Sequence, residues 1–202
     1  MIKRLYNLNI PIIGITGGIA TGKSSVSEII RDKDEQVICA DQIIKKLYEL
    51  TETVNYIRLI CPDVVNSQGD ISFEKLRKIF FNDYSIKNKL EDYLHPKIKG
   101  EFLNQVENSK ELVFYDVPLL FEKKMQSHFD KIILVTSEES IQIKRLMKRD
   151  NVNKDLAKKI ISTQLPLKTK ENLSDYIIKN NLNLQNLKEK AIYIYERIKL
   201  TH

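Results

Sequence analysis

The sequence has few of the residues and runs that mark secreted, metal-binding or membrane proteins. Its two cysteines, Cys39 and Cys61, do not have the spacing of a metal site, so we expect each to be a small apolar residue rather than a ligand or a disulfide partner. No apolar run approaches the ~18 residues that span a membrane. The first such run, residues 10–15, is interrupted by Pro11 and Gly14, which does not fit a signal peptide. We therefore expect a cytoplasmic protein with no membrane partner.

The net positive charge of the chain favours an anionic binding partner. Lys and Arg number 33 against 27 Asp and Glu, a net charge of +6 in 202 residues. An excess of this size suits either a nucleic acid or a pocket for polyanionic small molecules. The lysines are scattered along the chain rather than gathered in one block, which favours a small phosphate-bearing partner and no specific nucleic acid. The length predicts one domain that can carry an inserted lobe.

A G-x-x-x-x-G-K-S pattern lies between an apolar run and a helical pattern, which is the context of a phosphate-binding loop, or P-loop. Its residues, with the one that follows, are Gly17, Gly18, Ile19, Ala20, Thr21, Gly22, Lys23, Ser24 and Ser25. Glycines let backbone N–H groups approach a phosphate, and a helix N-terminus adds unpaired N–H groups. Lys23 supplies a mobile charge for the outer phosphates, and the Ser24 hydroxyl suits Mg²⁺. The alternative is a glycine loop that only turns the chain.

Apolar runs alternate with helical patterns along much of the chain. We predict strands at about 10–15, 36–40, 112–115, 131–135 and 176–178, and helices at 23–31, 42–60, 73–80, from 83, from 137, 154–162 and 184–198. The alternation predicts a three-layer α/β fold of the P-loop NTPase type with a five-stranded parallel sheet. Residues 42–110 show no strand pattern, so we predict that they form a helical insert within a single domain, 1–202.

Some local details of the helices are also predicted. His95-Pro96 interrupts a helical pattern, and because proline fits a first turn better than a helix interior, we expect a kink or a fresh helix start there. Ser72 is a candidate N-cap. The last helix has the clearest apolar stripe. Its members are Leu184, Leu187, Ala191, Ile194 and Ile198.

Two aspartates end predicted strands, Asp41 after the second strand and Asp116 after the third. Ligands of parallel sheets bind beyond the carboxyl ends of the strands, so both aspartates and the P-loop are expected along one rim. Asp41 is either an N-cap or a general base for a hydroxyl that attacks a phosphate. Asp116 is either a magnesium ligand or a turn residue before Pro118.

Arg145 and Arg149 are four residues apart on one predicted helical face. They suit a lid, at about 145–170, that brings guanidinium groups to a triphosphate. The alternative is a solvated basic face. His95 and Lys99 are candidates for contacts with the acceptor substrate, although a lone histidine is more often a cap or a surface residue.

The sequence resembles the dephospho-coenzyme A kinase family over nearly its whole length. The residues that carry this resemblance are 14–25 (Gly-Ile-Thr-Gly-Gly-Ile-Ala-Thr-Gly-Lys-Ser-Ser), Ala40-Asp41, Leu94-His95-Pro96, 116–122 (Asp-Val-Pro-Leu-Leu-Phe-Glu), Arg145 with Lys148-Arg149-Asp150, and 164–167 (Gln-Leu-Pro-Leu). The sequence departs from the family at Cys39, where the family usually has an acid, and at Lys99, where it often has an arginine.

The resemblance implies an enzyme that uses ATP and Mg²⁺ to phosphorylate the ribose 3′-hydroxyl of dephospho-CoA. Asp41 matches the family's catalytic aspartate, and the P-loop with Lys23, Arg145 and Arg149 matches its ATP site. The insert at 42–110 matches the lobe that helps to hold the CoA substrate. We expect a monomer or a weak homo-oligomer.

Other functions make different demands on the sequence. A nucleoside or nucleotide kinase on the same scaffold would share the loop and the lid and differ only in its acceptor. A GTPase switch would need Asn-Lys-x-Asp after a strand, whereas the fourth strand is followed by Thr136-Ser137-Glu138-Glu139. A nucleic-acid binder would show strongly salt-dependent affinity.

Overall fold

The computed structural model describes residues 3–107, 109 and 111–201. The chain divides into two compact units, Met1–Ala40 with Asn108–His202, and Asp41–Glu107. The helices are α1 Lys23–Arg31, α2 Ala40–Glu49, α3 Thr51–Ile60, α4 Phe73–Asn82, α5 Tyr84–Val106, α6 Glu139–Asp150, α7 Lys154–Ser162, α8 Leu167–Glu171 and α9 Leu184–Lys199. Single 3₁₀ turns occur at Leu5–Asn7, Pro62–Val64 and Gln126–His128.

The first unit contains a five-stranded sheet in which every pair of neighbours is parallel. The strands are β1 Ile12–Gly17, β2 Val37–Cys39, β3 Val113–Asp116, β4 Lys131–Thr136 and β5 Tyr176–Lys179, in the order β2-β3-β1-β4-β5. All of β1 and β3 is buried, as expected for parallel strands whose sequences are almost continuously apolar. The predicted α/β fold with a five-stranded parallel sheet is confirmed, although β1 begins and ends two residues later than expected.

The two faces of the sheet are filled differently. Ile13 and Ile15 of β1 belong to a core cluster that includes side chains of α1 and α9. Gly14 between them faces the other way, where a Cβ atom would lie 2.9 Å from Leu120 Cδ1 and 3.0 Å from Phe129 Cδ1. A side chain at Gly14 would therefore have to displace packed apolar groups.

The last helix largely follows its predicted stripe. Four of its five predicted members are buried, namely Leu187, Ala191, Ile194 and Ile198. Leu184 is 67% exposed, because it is the first residue of α9 and lies in its unpacked first turn. The apolar stripe therefore extends one residue beyond the part of α9 that is packed.

The second unit is helical. The segment that we predicted as one helix forms two, α2 and α3. The helix expected at 42–60 is interrupted at Leu50, whose ψ of 130° is extended. The buried residues on either side explain the break. Leu47 and Thr53 are both buried but six positions apart, which is roughly 240° out of phase in a straight helix. Ending one helix and starting another lets both segments bury their apolar faces.

Pro96 lies inside a continuous helix. The structure has one α5 from Tyr84 to Val106, so the predicted fresh start at His95-Pro96 is wrong, and a kink there stays a prediction. Proline removes one backbone hydrogen bond from the helix. The buried side chains of Leu94 and Phe102 lie on either side of Pro96, and their packing keeps these turns helical. The predicted N-cap is confirmed, because the Ser72 side chain accepts a hydrogen bond from Lys75 N.

The described residues contain no helix with both the length and the apolar composition needed to cross a bilayer.

The dense packing around β4 predicts that removing a core side chain there lowers the stability of the protein. Ile133 is fully buried in the cluster that joins the sheet to α1 and α9. We expect Ile133→Ala to lower the free energy of unfolding by about 2–5 kcal/mol, through lost transfer energy and the cavity left behind. Urea denaturation followed by circular dichroism measures this. Leu200→Ala is the control, because Leu200 is 87% exposed, and an equal loss in both variants would contradict the assigned core.

Candidate active site

The P-loop connects β1 to α1 through a backbone that needs glycine at two positions. Gly22 has a φ of +95°, and a Cβ atom there would lie 2.3 Å from Asn180 Nδ2. At Gly17, a Cβ atom would lie 2.7 Å from Val135 O. Ala20 also has a left-handed φ of 60°, which is uncommon outside glycine. Left-handed residues within a loop can direct its backbone N–H groups toward an anion.

The start of α1 adds further donors. Gly22 is its N-cap and has no side chain to cap the helix, so the N–H groups of the first turn are free of intrahelical partners. The Ser24 side chain is exposed in this turn, and Ser25 is half-buried. The loop and the helix terminus together suit a phosphate group.

Asp116 lies beside this helix start, as the topology predicts. It ends β3, pairs with Ile15 of β1 in the sheet register, and is 2% exposed. Its Oδ2 accepts a hydrogen bond of 2.7 Å from Ser27 Oγ, and its Oδ1 pairs with the Lys23 ammonium. The pair matters because a buried carboxylate without a compensating charge is strongly unfavourable.

Arg145 is brought onto the P-loop by α6. Its Nη1 lies 3.4 Å from the carbonyl oxygens of Ala20 and Thr21, and its Nη2 donates to Asn180 O at 3.2 Å. Asn180 is buried and its Nδ2 donates to Thr21 O at 2.8 Å. Asn180 is not among the site residues predicted from the sequence. Its position directly after β5, at the same rim of the sheet, was the available signal.

Arg149 has a different environment. Its guanidinium makes two hydrogen bonds to Asp150, with Nε–Oδ1 at 2.7 Å and Nη2–Oδ2 at 2.9 Å. This hydrogen bonding raises the pKa of Arg149 above its ordinary value. The structure therefore brings Arg145, rather than Arg149, into contact with the loop.

The segment after α7 also reaches the P-loop. Gln164 Oε1 accepts a hydrogen bond of 2.8 Å from Ile19 N. Nearby, Glu122 Oε1 accepts from Leu165 N at 3.1 Å and lies 2.7 Å from Nζ of Lys170, which is fully buried. In the sequence, Gln164 and Glu122 are recognisable only as family markers. A lysine in a short polar helix gives no sign that it will be buried.

A cleft of about 710 Å³ opens beside Gly18. Its walls come from the start of α6, the end of β5 and the segment from α7 to α8, and they include Ser137, Gln142, Leu167 and Asn181. The cleft thus combines apolar side chains with amides, hydroxyls and several charged side chains, among them Glu138 and Lys158. A concave site of this size can hold a small molecule.

The remaining predicted site residues belong to the helical unit. Asp41 is exposed in the first turn of α2, which begins at Ala40 directly after β2. The alternative that Asp41 is the N-cap is therefore wrong, because the residue lies inside the helix. His95 and Lys99 are exposed and lie one turn apart on α5, so they share a face.

Comparisons with known proteins show which family the chain matches. The profile of a family described as dephospho-CoA kinase matches residues 11–186. A dephospho-CoA kinase from Fusobacterium nucleatum is 36% identical over 194 residues, which cover 95% of this chain and all of that protein.

Solved structures give the same result. A crystal structure from Thermus thermophilus has a TM-score of 0.84 at 25% identity and covers 94% of this chain and 98% of its own. A dephospho-CoA kinase from Campylobacter jejuni has a TM-score of 0.65 at 28% identity, with coverage of 93% and 96%. With a matching profile over most of its length and a relative above 30% identity, the chain belongs to the dephospho-CoA kinase family.

Proposed function

We propose that this protein transfers the γ-phosphoryl group of ATP to the ribose 3′-hydroxyl of dephospho-CoA, giving coenzyme A and ADP in the last step of CoA biosynthesis. The observation that carries the proposal is the family match over residues 11–186, which includes the complete P-loop. The two cysteines are free thiols, Cys39 and Cys61, and agree with a reducing, cytoplasmic location. A monomer or weak homo-oligomer without a nucleic-acid partner stays a prediction.

The P-loop would hold the triphosphate of ATP. The N–H groups of Ile19 and Thr21 bond within the protein, and the other backbone N–H groups of the loop and of the first turn of α1 would donate to phosphate oxygens. Lys23 would move its ammonium from Asp116 to the outer phosphates. Arg145 already lies on the loop, where its charge would offset charge that develops on the transferring group. Arg149 would also bind the phosphates once its guanidinium releases the Asp150 carboxylate. The adenine would lie toward the last loop, near Asn180.

Asp41 would act as the general base. Its carboxylate is exposed in the first turn of α2, two residues after Cys39, which pairs with Asp116 in the sheet register. The chain therefore leaves the sheet beside the strand end that carries Asp116. A carboxylate at this point would accept the proton of the ribose hydroxyl as that oxygen attacks phosphorus. His95 and Lys99 on α5 would contact the substrate, Lys99 as a point charge for its phosphates.

Ser24 and Asp116 fit a magnesium ion by the chemistry of their donor atoms. A hydroxyl and a carboxylate are the hard oxygen ligands that Mg²⁺ prefers, and Mg²⁺ in kinases needs only one or two of them besides substrate phosphates. Asp116 already has a cation and a hydroxyl as neighbours, the Lys23 ammonium and Ser27 Oγ. When bound, the ion supplies positive charge to the β- and γ-phosphate oxygens.

The identity of the acceptor substrate distinguishes the proposed dephospho-CoA kinase from the alternative, a nucleoside or nucleotide kinase. We expect ADP release from ATP with dephospho-CoA, measured in a coupled assay, and mass spectrometry should show one phosphate added at the 3′-oxygen. A panel of nucleosides and nucleotides should be inactive as acceptors. Turnover of a nucleoside without turnover of dephospho-CoA would replace the proposal with a nucleoside kinase.

Asp41→Asn tests the general base. Because the amide has lost the basic oxygen, we expect kcat to fall by about 10²- to 10⁴-fold with ATP affinity largely retained, as measured by calorimetry. Asp34→Asn is the matched control. Asp34 is an exposed turn residue with a φ of 59°, which asparagine also tolerates. A kcat near wild type for Asp41→Asn would remove Asp41 from the chemistry.

Ser24→Ala tests the magnesium assignment. Loss of the hydroxyl should raise the Mg²⁺ concentration for half-maximal rate by about tenfold or more, and an excess of chelator should abolish turnover by the wild type. Ser85→Ala serves as a control, because Ser85 is exposed near the start of α5 and does not line the cleft. An unchanged Mg²⁺ dependence in Ser24→Ala would contradict the assignment.

A further inference from the structure

Glu122 sits where two parts of the first unit meet, and the proposed mechanism does not use it. It follows β3 in the segment 116–122, and its side chain is 17% exposed. One oxygen, Oε1, contacts both Leu165 N at 3.1 Å and Lys170 Nζ at 2.7 Å. A single carboxylate oxygen thus fixes both a backbone amide and a side chain of the segment that follows α7.

Lys170 makes this attachment unusual. Its side chain is fully buried, and lysine is almost never fully buried without a partner. A buried ammonium that loses its carboxylate is strongly destabilised, because no solvent is available to replace it. The Glu122–Lys170 pair therefore gives segment 164–170 one strongly preferred position.

That segment carries Gln164, whose Oε1 accepts the N–H of Ile19 at 2.8 Å. Ile19 is in the P-loop, one residue before Ala20 with its left-handed φ. The Gln164 side chain thereby aligns the amide of Ile19. Because Leu165 is the next residue and bonds to Glu122, the position of Gln164 depends in turn on Glu122. The contacts form a continuous series from Glu122 through Leu165 and Gln164 to the loop.

We propose that Glu122 is a positioning residue for the P-loop: it anchors segment 164–170 so that Gln164, by accepting the Ile19 N–H, holds the loop in the shape that presents its other N–H groups to the triphosphate. Glu122 touches no reacting atom in this scheme and acts only through Gln164. The kinetic consequence rests on the proposed kinase function, whereas the effect on the Ile19 amide does not.

Glu122→Gln and Gln164→Met test the two ends of this series. Glutamine keeps the size of Glu122 and loses its charge, and methionine keeps the length of Gln164 and loses the acceptor. We expect each variant to lower kcat/KM for ATP by about 10- to 100-fold and to speed hydrogen exchange of the Ile19 amide, followed by NMR. Because the two residues act as one unit, the double variant should be no worse than the worse single variant.

Glu111→Gln is the matched control. Glu111 forms an ion pair of 2.6 Å with Lys199, and its side chain is 70% exposed, so the same chemical change should leave kinetics and Ile19 exchange at wild-type values. If Glu122→Gln does not fold, Glu122→Gln with Lys170→Met removes the unpaired buried charge. This pair of changes should reproduce the loss of Ile19 protection seen in Gln164→Met.

Two results would overturn the inference. One is a Glu122→Gln protein that melts at a lower temperature but keeps wild-type kcat/KM and Ile19 exchange, since that is a structural role alone. The other is a double variant in which the two losses multiply. A wild-type protein that does not phosphorylate dephospho-CoA would instead overturn the proposed function, and Ile19 exchange would still decide the role of Glu122.

Discussion

The buried carboxylate of Asp116 is the constraint on which the site depends. At 2% exposure it needs charge or hydrogen bonds close by, and it finds them in Lys23 and Ser27 of α1. These contacts tie the first two turns of α1 to the end of a central strand, which sets the direction in which the helix presents its free N–H groups. The same ammonium is the one that a triphosphate would attract. In the proposed mechanism, nucleotide binding would compete with an interaction inside the protein, and the affinity for ATP would reflect the difference between the two.

The part of the fold that depends on local pattern was predictable from the sequence. The strands are short apolar runs, and parallel pairing requires their carboxyl ends to meet, so the P-loop and Asp116 were expected on one rim. The helix at 42–60 was predicted as one element because Ile44, Leu47, Thr51 and Val54 keep a helical spacing. The break at Leu50 follows from which faces are buried in the folded unit, and that information is not local. Pro96 is similar, because tertiary packing of Leu94 and Phe102 overrides the low helical propensity of proline.

The site divides in the same way. Lys23, Ser24 and Arg145 could be named because their side-chain chemistry and spacing point to phosphate. Asn180, Gln164 and the Glu122–Lys170 pair could not be named, because their roles arise from contacts between residues far apart in the chain. Asn180 and Thr21, for example, are 159 positions apart. No periodicity or composition reports such contacts. Lys170 illustrates the difficulty most clearly, because a lysine between polar neighbours is expected in solvent and is here fully enclosed.

The strand order has a consequence for how the folded chain behaves in a crowded solution. The edge strands of the sheet are β2 and β5, which are only three and four residues long. A border strand exposes unpaired backbone groups that can recruit a strand from another molecule, and very short borders offer few of them. β5 moreover finishes with an exposed lysine, Lys179, whose charge repels its own copy. The architecture that gathers the ligand-binding loops in the middle of the sheet thus also protects its margins against edge-to-edge aggregation.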